Sequence, residues 1–541
     1  MVQGVRYDAR RSCGVNKKPA REGKALSRTR ALIFNGIAAL MSSTGAAVLG
    51  VLITPFFIWK LGLEGYGIWA LANGLVAYAF LSDLGLGSTF IKSLAEYHAL
   101  DEERRVRQVM TFGALFYIGL ALVLVPIVAI AMPSLIGFLK LKPAVHQIAS
   151  NVFVLVFAYT ILSRALGMPG WLLTSLGFLR VTSRIQFVTQ LIFYSCSVLF
   201  LIRGYGLYGM VAAIYLRLFG SALWTFFSAR THLRKIFISP FSLEPHVVRR
   251  LFVLGGWIQL TDFCTALNFE SDRIIIGWLV NVSSISYYDV ANKLARTLRS
   301  APLSFINAFL PAVSALEARE GRSRFNELYV RASRYFMLAT LLLLGFLFAA
   351  AHPIIRTWLG PGFDPAASII GLFCLAYIAN NLTIVGATMV RAIGEPKLET
   401  FYSILTIVVK IIASIVLGKI MGMYGVVLGT LIGSLVGLVY FVWLFHRTYA
   451  LPIWAGFGDW FSRMCLAFAA STTVTWLALN TLGNSFFAHR VLGLFTLAIA
   501  GLFYVLLSGV LLVLVRFFKD SDASLLGAVL PPRILRRFVT S

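Results

Sequence analysis

Long apolar runs separated by short polar stretches repeat down the whole chain. A helix rises ~1.5 Å per residue, so roughly 20 apolar residues cross the ~30 Å hydrocarbon core of a bilayer. Runs of that length fall at 31–58, 66–91, 108–132, 147–177, 185–202, 207–229, 248–280, 287–315, 332–352, 366–390, 400–418, 424–445, 461–482 and 489–515. The pattern predicts an all-α polytopic membrane protein with about 14 transmembrane helices. The run at 248–280 is overlong and carries charges, so part of it is expected to protrude. The stretches between runs are short, which leaves no room for a soluble nucleotide-binding or glycosyltransferase domain. No GxxxxGK[ST] phosphate loop occurs, which argues against ATP hydrolysis.

The runs are internally repetitive. Arg203-Gly-Tyr-Gly-Leu-Tyr-Gly209 parallels Lys419-Ile-Met-Gly-Met-Tyr-Gly425, Gly177-Phe-Leu-Arg180 parallels Gly394-Glu-Pro-Lys397, and Asp101–Arg107 has a counterpart near Glu320–Arg324. Six runs separate equivalent points, an even number, so the two halves face the same way. A parallel repeat about an axis along the membrane normal follows, with a cavity between two six-helix lobes. The expected organisation is a basic, disordered cytoplasmic tail over 1–30, an N-lobe over 31–230 and a C-lobe over 248–446. Two further helices lie within 461–517, and a basic cytoplasmic tail covers 518–541.

Composition sharpens this picture. Of 541 residues, 59% are hydrophobic and 13% charged, and the net charge is +26. Placing the N-terminus in the cytoplasm and alternating puts 33 Lys or Arg on cytoplasmic segments, seven on periplasmic ones and eight within runs. That bias obeys the positive-inside rule, puts both termini in the cytoplasm and accounts for the basic balance without nucleic acid. The five cysteines have no metal-ligand spacing.

Two sets of motifs carry a family resemblance. The first is Leu61-Gly-Leu-Glu-Gly-Tyr-Gly-Ile-Trp-Ala-Leu71 with Leu81-Ser-Asp-Leu-Gly-Leu-Gly87. The second is Asp272-Arg-Ile-Ile-Ile-Gly277 with Tyr287-Tyr288 and Phe309-Leu-Pro311. Over roughly 31–450 the chain resembles the multidrug/oligosaccharidyl-lipid/polysaccharide exporter (MOP) superfamily, and within it the Wzx-type O-antigen and exopolysaccharide flippases. The resemblance implies a two-lobed alternating-access transporter of the bacterial inner membrane. It implies a polyprenyl-diphosphate-linked oligosaccharide as cargo, with membrane lipid around it and polysaccharide polymerase and chain-length proteins as candidate partners. A monomer is expected, with no cofactor; H⁺, Na⁺ or the membrane potential is the candidate driving force.

Ionic residues inside the runs cost roughly 2.5–3.5 kcal/mol each at mid-span, so they normally face a cavity or a partner. The basic candidates for binding a diphosphate are Arg164, Arg217, Lys293, Arg296, Arg299 and Lys410. Lys293, Arg296 and Arg299 step by three residues and spread over about 120° of one helix face. Structural pairing is the competing reading: Asp289 stands four residues before Lys293. Arg334 is expected to reach a membrane surface. The gating or coupling candidates are Asp83, Asp262, Glu270, Asp272 and Arg273, with Asp272 and Arg273 read as a local ion pair or gate. Asp262 or Glu270 could take up a coupling proton or Na⁺. Two alternatives stand beside the flippase: a cation-coupled multidrug exporter of the same superfamily, which would want an acidic cavity, and a membrane polysaccharide polymerase or ligase, which would want a large periplasmic loop. A non-transporting scaffold would not require intramembrane cations at all.

Overall fold

A computed structural model of the chain describes residues 18–77, 86–139, 141–232, 263–264, 266–320, 322–392, 397–449, 458–482 and 485–517. All regular elements among them are helices. The first half runs α1 (Lys18–Ala77), α2 (Leu86–Ala99), α3 (Glu103–Gly137), α4 (His146–Ser175), α5 (Leu179–Ile202) and α6 (Gly206–His232). The second half runs α7 (266–279), α8 (Val282–Glu320), α9 (Arg322–Ala349), α10 (Ala351–Leu359), α11 (Asp364–Ala392), α12 (Lys397–Met421) and α13 (Met423–Thr448). Then come α14 (Asp459–Thr481), α15 (Ser485–Ala488) and α16 (Arg490–Leu514). Eleven of the described helices are long and apolar enough to cross a membrane, which makes this a multi-pass membrane protein.

The helix α1 is in fact a hairpin. Gly62 has φ 73° and ψ 172°, a conformation essentially confined to glycine. Thr54 and Tyr66 would lie ~18 Å apart along a straight helix. Yet the Lys293 ammonium bonds both, at 3.0 Å and 3.2 Å. The chain therefore reverses at Gly62, so that α1 is two helical arms where the sequence places two runs. The helix α8, 39 residues and about 58 Å long, carries Asp289, Lys293, Arg296 and Arg299 along its length. The stretch 353–359, which falls between predicted runs, belongs to the short amphipathic α10, whose Arg356 pairs with Asp364 at 3.2 Å.

The repeat is visible in the element order. Helices beginning at 103, 146, 179 and 206 recur at 322, 364, 397 and 423. They pack alike: α4 rests on α3 and α6, and α5 on α6, as α11 rests on α9 and α13, and α12 on α13. The closest packing is between α12 and α13. Gly425, Gly429, Gly433 and Gly437 recur every four residues down one face of α13. A Cβ at Gly429 would sit 2.4 Å from the Ser414 nitrogen, and one at Gly433 2.6 Å from the Lys410 Cβ. In lipid, where apolar burial drives no association, such small-residue stripes let backbones meet.

The last two long helices, α14 and α16, pack on each other and on α9. Arg334 is buried there and donates to the Phe517 carbonyl, with its guanidinium 4.3 Å from the Phe517 ring centre. Arg334 thereby meets a carbonyl just past the C-terminus of α16, where a cation is electrostatically favoured.

Candidate functional site

The two halves meet where α1 lies against α8, on the side of the molecule that carries Gly62 and the 281 turn. Sterics permit this seam because Gly67 has no side chain: a Cβ there would stand 2.2 Å from the Val282 carbonyl oxygen. Polar groups then cross it. Tyr66 donates to Asp289 Oδ2 at 2.6 Å, Lys293 donates to Thr54 Oγ1 at 3.0 Å, and Ser286 donates to the Leu63 carbonyl at 2.5 Å. Both Tyr66 and Asp289 are buried.

Behind the seam the charges of the second half sort themselves. Arg273 binds Asp289 Oδ1 at 2.6 Å and also pairs with Glu270, and Glu270 reaches Arg296 at 3.2 Å. Asp272 does not pair with its neighbour Arg273, contrary to the sequence expectation. Successive helix residues point ~100° apart, so Asp272 turns instead toward α12 and α13. It meets the Lys410 ammonium at 3.1 Å and accepts from Thr430 at 2.7 Å and Tyr288 at 3.0 Å. Likewise Asp289 bonds Arg273, and the direct hydrogen bonds of Lys293 go to the hydroxyls of Thr54 and Tyr66.

Arg296 and Arg299 differ from the rest. The Arg296 side chain is 46% exposed despite its bond to Glu270. Arg299 is buried and held by two amide oxygens, Asn381 Oδ1 at 3.1 Å and Asn380 Oδ1 at 2.5 Å. Its guanidinium also lies 5.2 Å from the Phe269 ring centre and 5.1 Å from that of Tyr377. Arg299 lines a cleft of about 330 Å³ between α7, α8, α11 and α12, which runs past Asn380 and Tyr402 to the Arg391–Glu399 pair. Among the described residues of this region, five cations (Arg273, Lys293, Arg296, Arg299, Lys410) face three carboxylates (Glu270, Asp272, Asp289). Counted over these described residues, the surplus is two positive charges.

The first half contributes less. Arg164 on α4 lies 5.9 Å from the Trp171 ring centre, and Arg217 on α6 is half-buried; neither joins the α7–α8 cluster. Asp83 and Asp262 lie outside the described residues. Sequence reasoning missed Tyr66, Thr54, Asn380, Asn381 and Thr430. Tyr66 did stand in a quoted motif, yet nothing in a single sequence says that a tyrosine on one half faces an aspartate on the other.

The sequence signature of the polysaccharide biosynthesis protein family spans residues 33–317, more than half of the chain. The chain belongs to the polysaccharide biosynthesis protein family. This family member is 20% identical over 377 residues to the "Putative O-antigen transporter" of Shigella flexneri, covering 68% of this chain and 86% of that protein. Its fold is that of the MOP superfamily. It superposes on the lipid II flippase MurJ in its inward closed conformation with a TM-score of 0.66 at 16% identity, covering 88% of this chain and 99% of the other. An inward-facing multidrug resistance MATE family transporter of the MOP superfamily gives 0.65 at 14% identity, over 77% of this chain and 98% of that one. The family region takes in Tyr66, Gly67, Asp272, Tyr288 and Asp289, so the residues that build the seam all fall inside it.

Proposed function

We propose that this family member is a flippase that moves a polyprenyl-diphosphate-linked oligosaccharide from the cytoplasmic to the periplasmic leaflet by alternating access. It would serve O-antigen or exopolysaccharide synthesis. One observation carries the reading: among the described residues of the cluster that holds Arg296 and Arg299, cations outnumber carboxylates by two, and a diphosphate diester carries about two negative charges. Arg299 is buried without a carboxylate partner among the described residues, a costly arrangement that an anionic guest offsets. In this reading the chain crosses the membrane fourteen times with both termini in the cytoplasm. The Gly62 and 281 turns then lie on the periplasmic side, so the Tyr66–Asp289 seam is the closed periplasmic gate, and the cleft at Arg299 leads toward the cytoplasm through Arg391 and Glu399. The saccharide and diphosphate enter from the cytoplasm while the polyprenyl chain stays in lipid. Separation of the lobes at the seam releases the head group outside.

The deciding experiment is chemical identification of the lipid-linked intermediate in a deletion strain. A completed repeat unit accumulating on the cytoplasmic leaflet is the expected result; its absence, with polymer still made at the wild-type rate, would overturn the reading. A cationic drug would meet the same positive surplus, so a drug-resistance panel is expected to show no difference between deletion and wild-type strains.

A further inference from the structure

Lys410 and Asp272 cancel in the charge count that the transport reading uses, so their pairing is open to a separate account. The Lys410 side chain is 1% exposed, and its ammonium meets two oxygens of α7, one of them on a carboxylate that α13 also holds. These are Asp272 Oδ1 at 3.1 Å and the Asn268 carbonyl on α7, with the Thr430 hydroxyl of α13 bound to the other carboxylate oxygen at 2.7 Å. A carboxylate, a backbone carbonyl and a hydroxyl are the hard oxygen donors that dehydrated cations take. An ammonium ion is a compact monovalent cation of similar demand. A space of about 10 Å³, the size of one water, adjoins the cluster near Ser434 and Asn380.

The packing explains why a lysine reaches so deep. Gly433 admits the Lys410 backbone against α13, since a Cβ there would lie 2.9 Å from the Lys410 Cα. With α12 drawn this close, the side chain has only the interior of the second bundle to enter. Asp272 stands between Glu270 and Arg273 on α7, so whatever fixes Asp272 also sets the helix rotation that points those two residues at the gate.

We infer that the second bundle contains a monovalent-cation site whose permanent occupant is the chain's own Lys410 ammonium. The tethered cation holds α7 against α12 and α13, and this bundle needs no free alkali ion at that position. Removing the side chain opens an oxygen-lined vacancy that takes a free ion, Na⁺ or K⁺ by size and hardness. The inference rests on the Lys410 cage alone and stands whatever the cargo is.

The test uses the purified full chain in detergent. Thermal unfolding is measured in NaCl, KCl and LiCl against N-methylglucamine chloride at constant ionic strength. Wild type should unfold at one temperature in all four salts. Lys410→Ala should be destabilised in N-methylglucamine and recover in a saturable way, by several degrees, as one alkali cation is titrated in. The same variant should retain radiolabelled ²²Na⁺ or ⁸⁶Rb⁺, according to which salt rescues it, and the Lys410→Ala/Asp272→Asn double variant should lose both the rescue and the retention. Equal response of wild type and Lys410→Ala to every salt would overturn the inference. So would failure of both Lys410→Ala and Lys410→Ser to give monodisperse protein in any alkali salt while Lys410→Arg remains well behaved, because the cage would then not accept a free ion.

Discussion

Replacing Tyr66 by Phe isolates the bond that crosses between the lobes. The substitution deletes the donor to Asp289 Oδ2 at 2.6 Å and the weaker acceptor for Lys293 at 3.2 Å. It leaves Asp289 paired with Arg273 and Lys293 bonded to Thr54, so no charge is orphaned. A hydrogen bond to a charged group contributes about 1.5–3 kcal/mol, and burial of both partners removes solvent screening as a reason to discount it. At ~1.4 kcal/mol per tenfold change, the closed-to-open ratio at the seam falls roughly 10- to 150-fold. Spin labels at Lys60 and Asn281, both exposed and on opposite sides of the seam, report that ratio as a distance distribution by double electron–electron resonance. The five native cysteines are first replaced by alanine. Tyr288→Phe is the control: it removes the same kind of bond, a tyrosine donor to the Asp272 carboxylate at 3.0 Å, but within one lobe. The longer-distance population should grow in Tyr66→Phe and stay at the wild-type level in Tyr288→Phe. An unchanged distribution in Tyr66→Phe, or an equal shift in both, would refute the claim that this bond clasps the lobes.

Three further outcomes follow from the packing and the charges. Arg299→Ala should slow flipping of the lipid-linked saccharide in proteoliposomes roughly 10- to 150-fold, and Arg299→Lys should restore little, since an ammonium cannot reach Asn380 and Asn381 as a fork while also serving a phosphate. Gly429→Ala should lower stability by about 1–3 kcal/mol through its collision with the Ser414 backbone, whereas Gly119→Ala on α3, with open space around it, should be neutral or slightly stabilising; thermal unfolding in detergent compares them. Gly62→Ala should cost about 1–3 kcal/mol at the hairpin reversal, read as lower yield and lower unfolding temperature.

The layout of the fold could be read from sequence because it rests on length and alternation. Apolar runs of about 20 residues mark crossings whatever their neighbours, and the turns at Gly206-Leu-Tyr-Gly209 and Gly422-Met-Tyr-Gly425 mark equivalent corners of two repeats; Gly204, Gly206 and Gly422 all carry positive φ there. The identities of the buried charges could be read for the same reason, since Lys or Arg within an apolar run is conspicuous. Their partners could not. Asp272 and Arg273 are adjacent in sequence, yet one faces Lys410 on α12 and the other Asp289 on α8, because helix rotation separates them and only the packed neighbours decide which finds what. Lys293 shows the same limit: Asp289, one turn away, faces it electrostatically but bonds Arg273, and the lysine's direct hydrogen bonds go to hydroxyls on the opposite half. The glycine stripe from Gly425 to Gly437 has a consequence, a lysine pressed into the bundle, that appears only when α12 is laid against it.

The charge surplus also bears on what drives transport. The five cations of the cluster are fixed to helices and tied to Glu270, Asp272, Asp289 and the amides of Asn380 and Asn381, so the lobes can rock without carrying them far through the membrane field. On the proposed function, the charge that crosses the field is then the cargo's. About two negative charges leaving an interior-negative cell gain up to ~4.6 kcal/mol per 100 mV, from ~2.3 per charge, which corresponds to a gradient of roughly 2,000-fold. On the proposed function, export on that scale requires no coupled ion. In proteoliposomes with the protein oriented as in the cell, a valinomycin-clamped K⁺ gradient that makes the cytoplasmic side negative should speed outward flipping and raise its end point. Collapsing the gradient should abolish the accumulation while leaving slow equilibration between leaflets. If the rate and the end point are the same with and without the potential, the cargo's charge does not drive the cycle, and a coupled ion would have to be sought elsewhere in the chain.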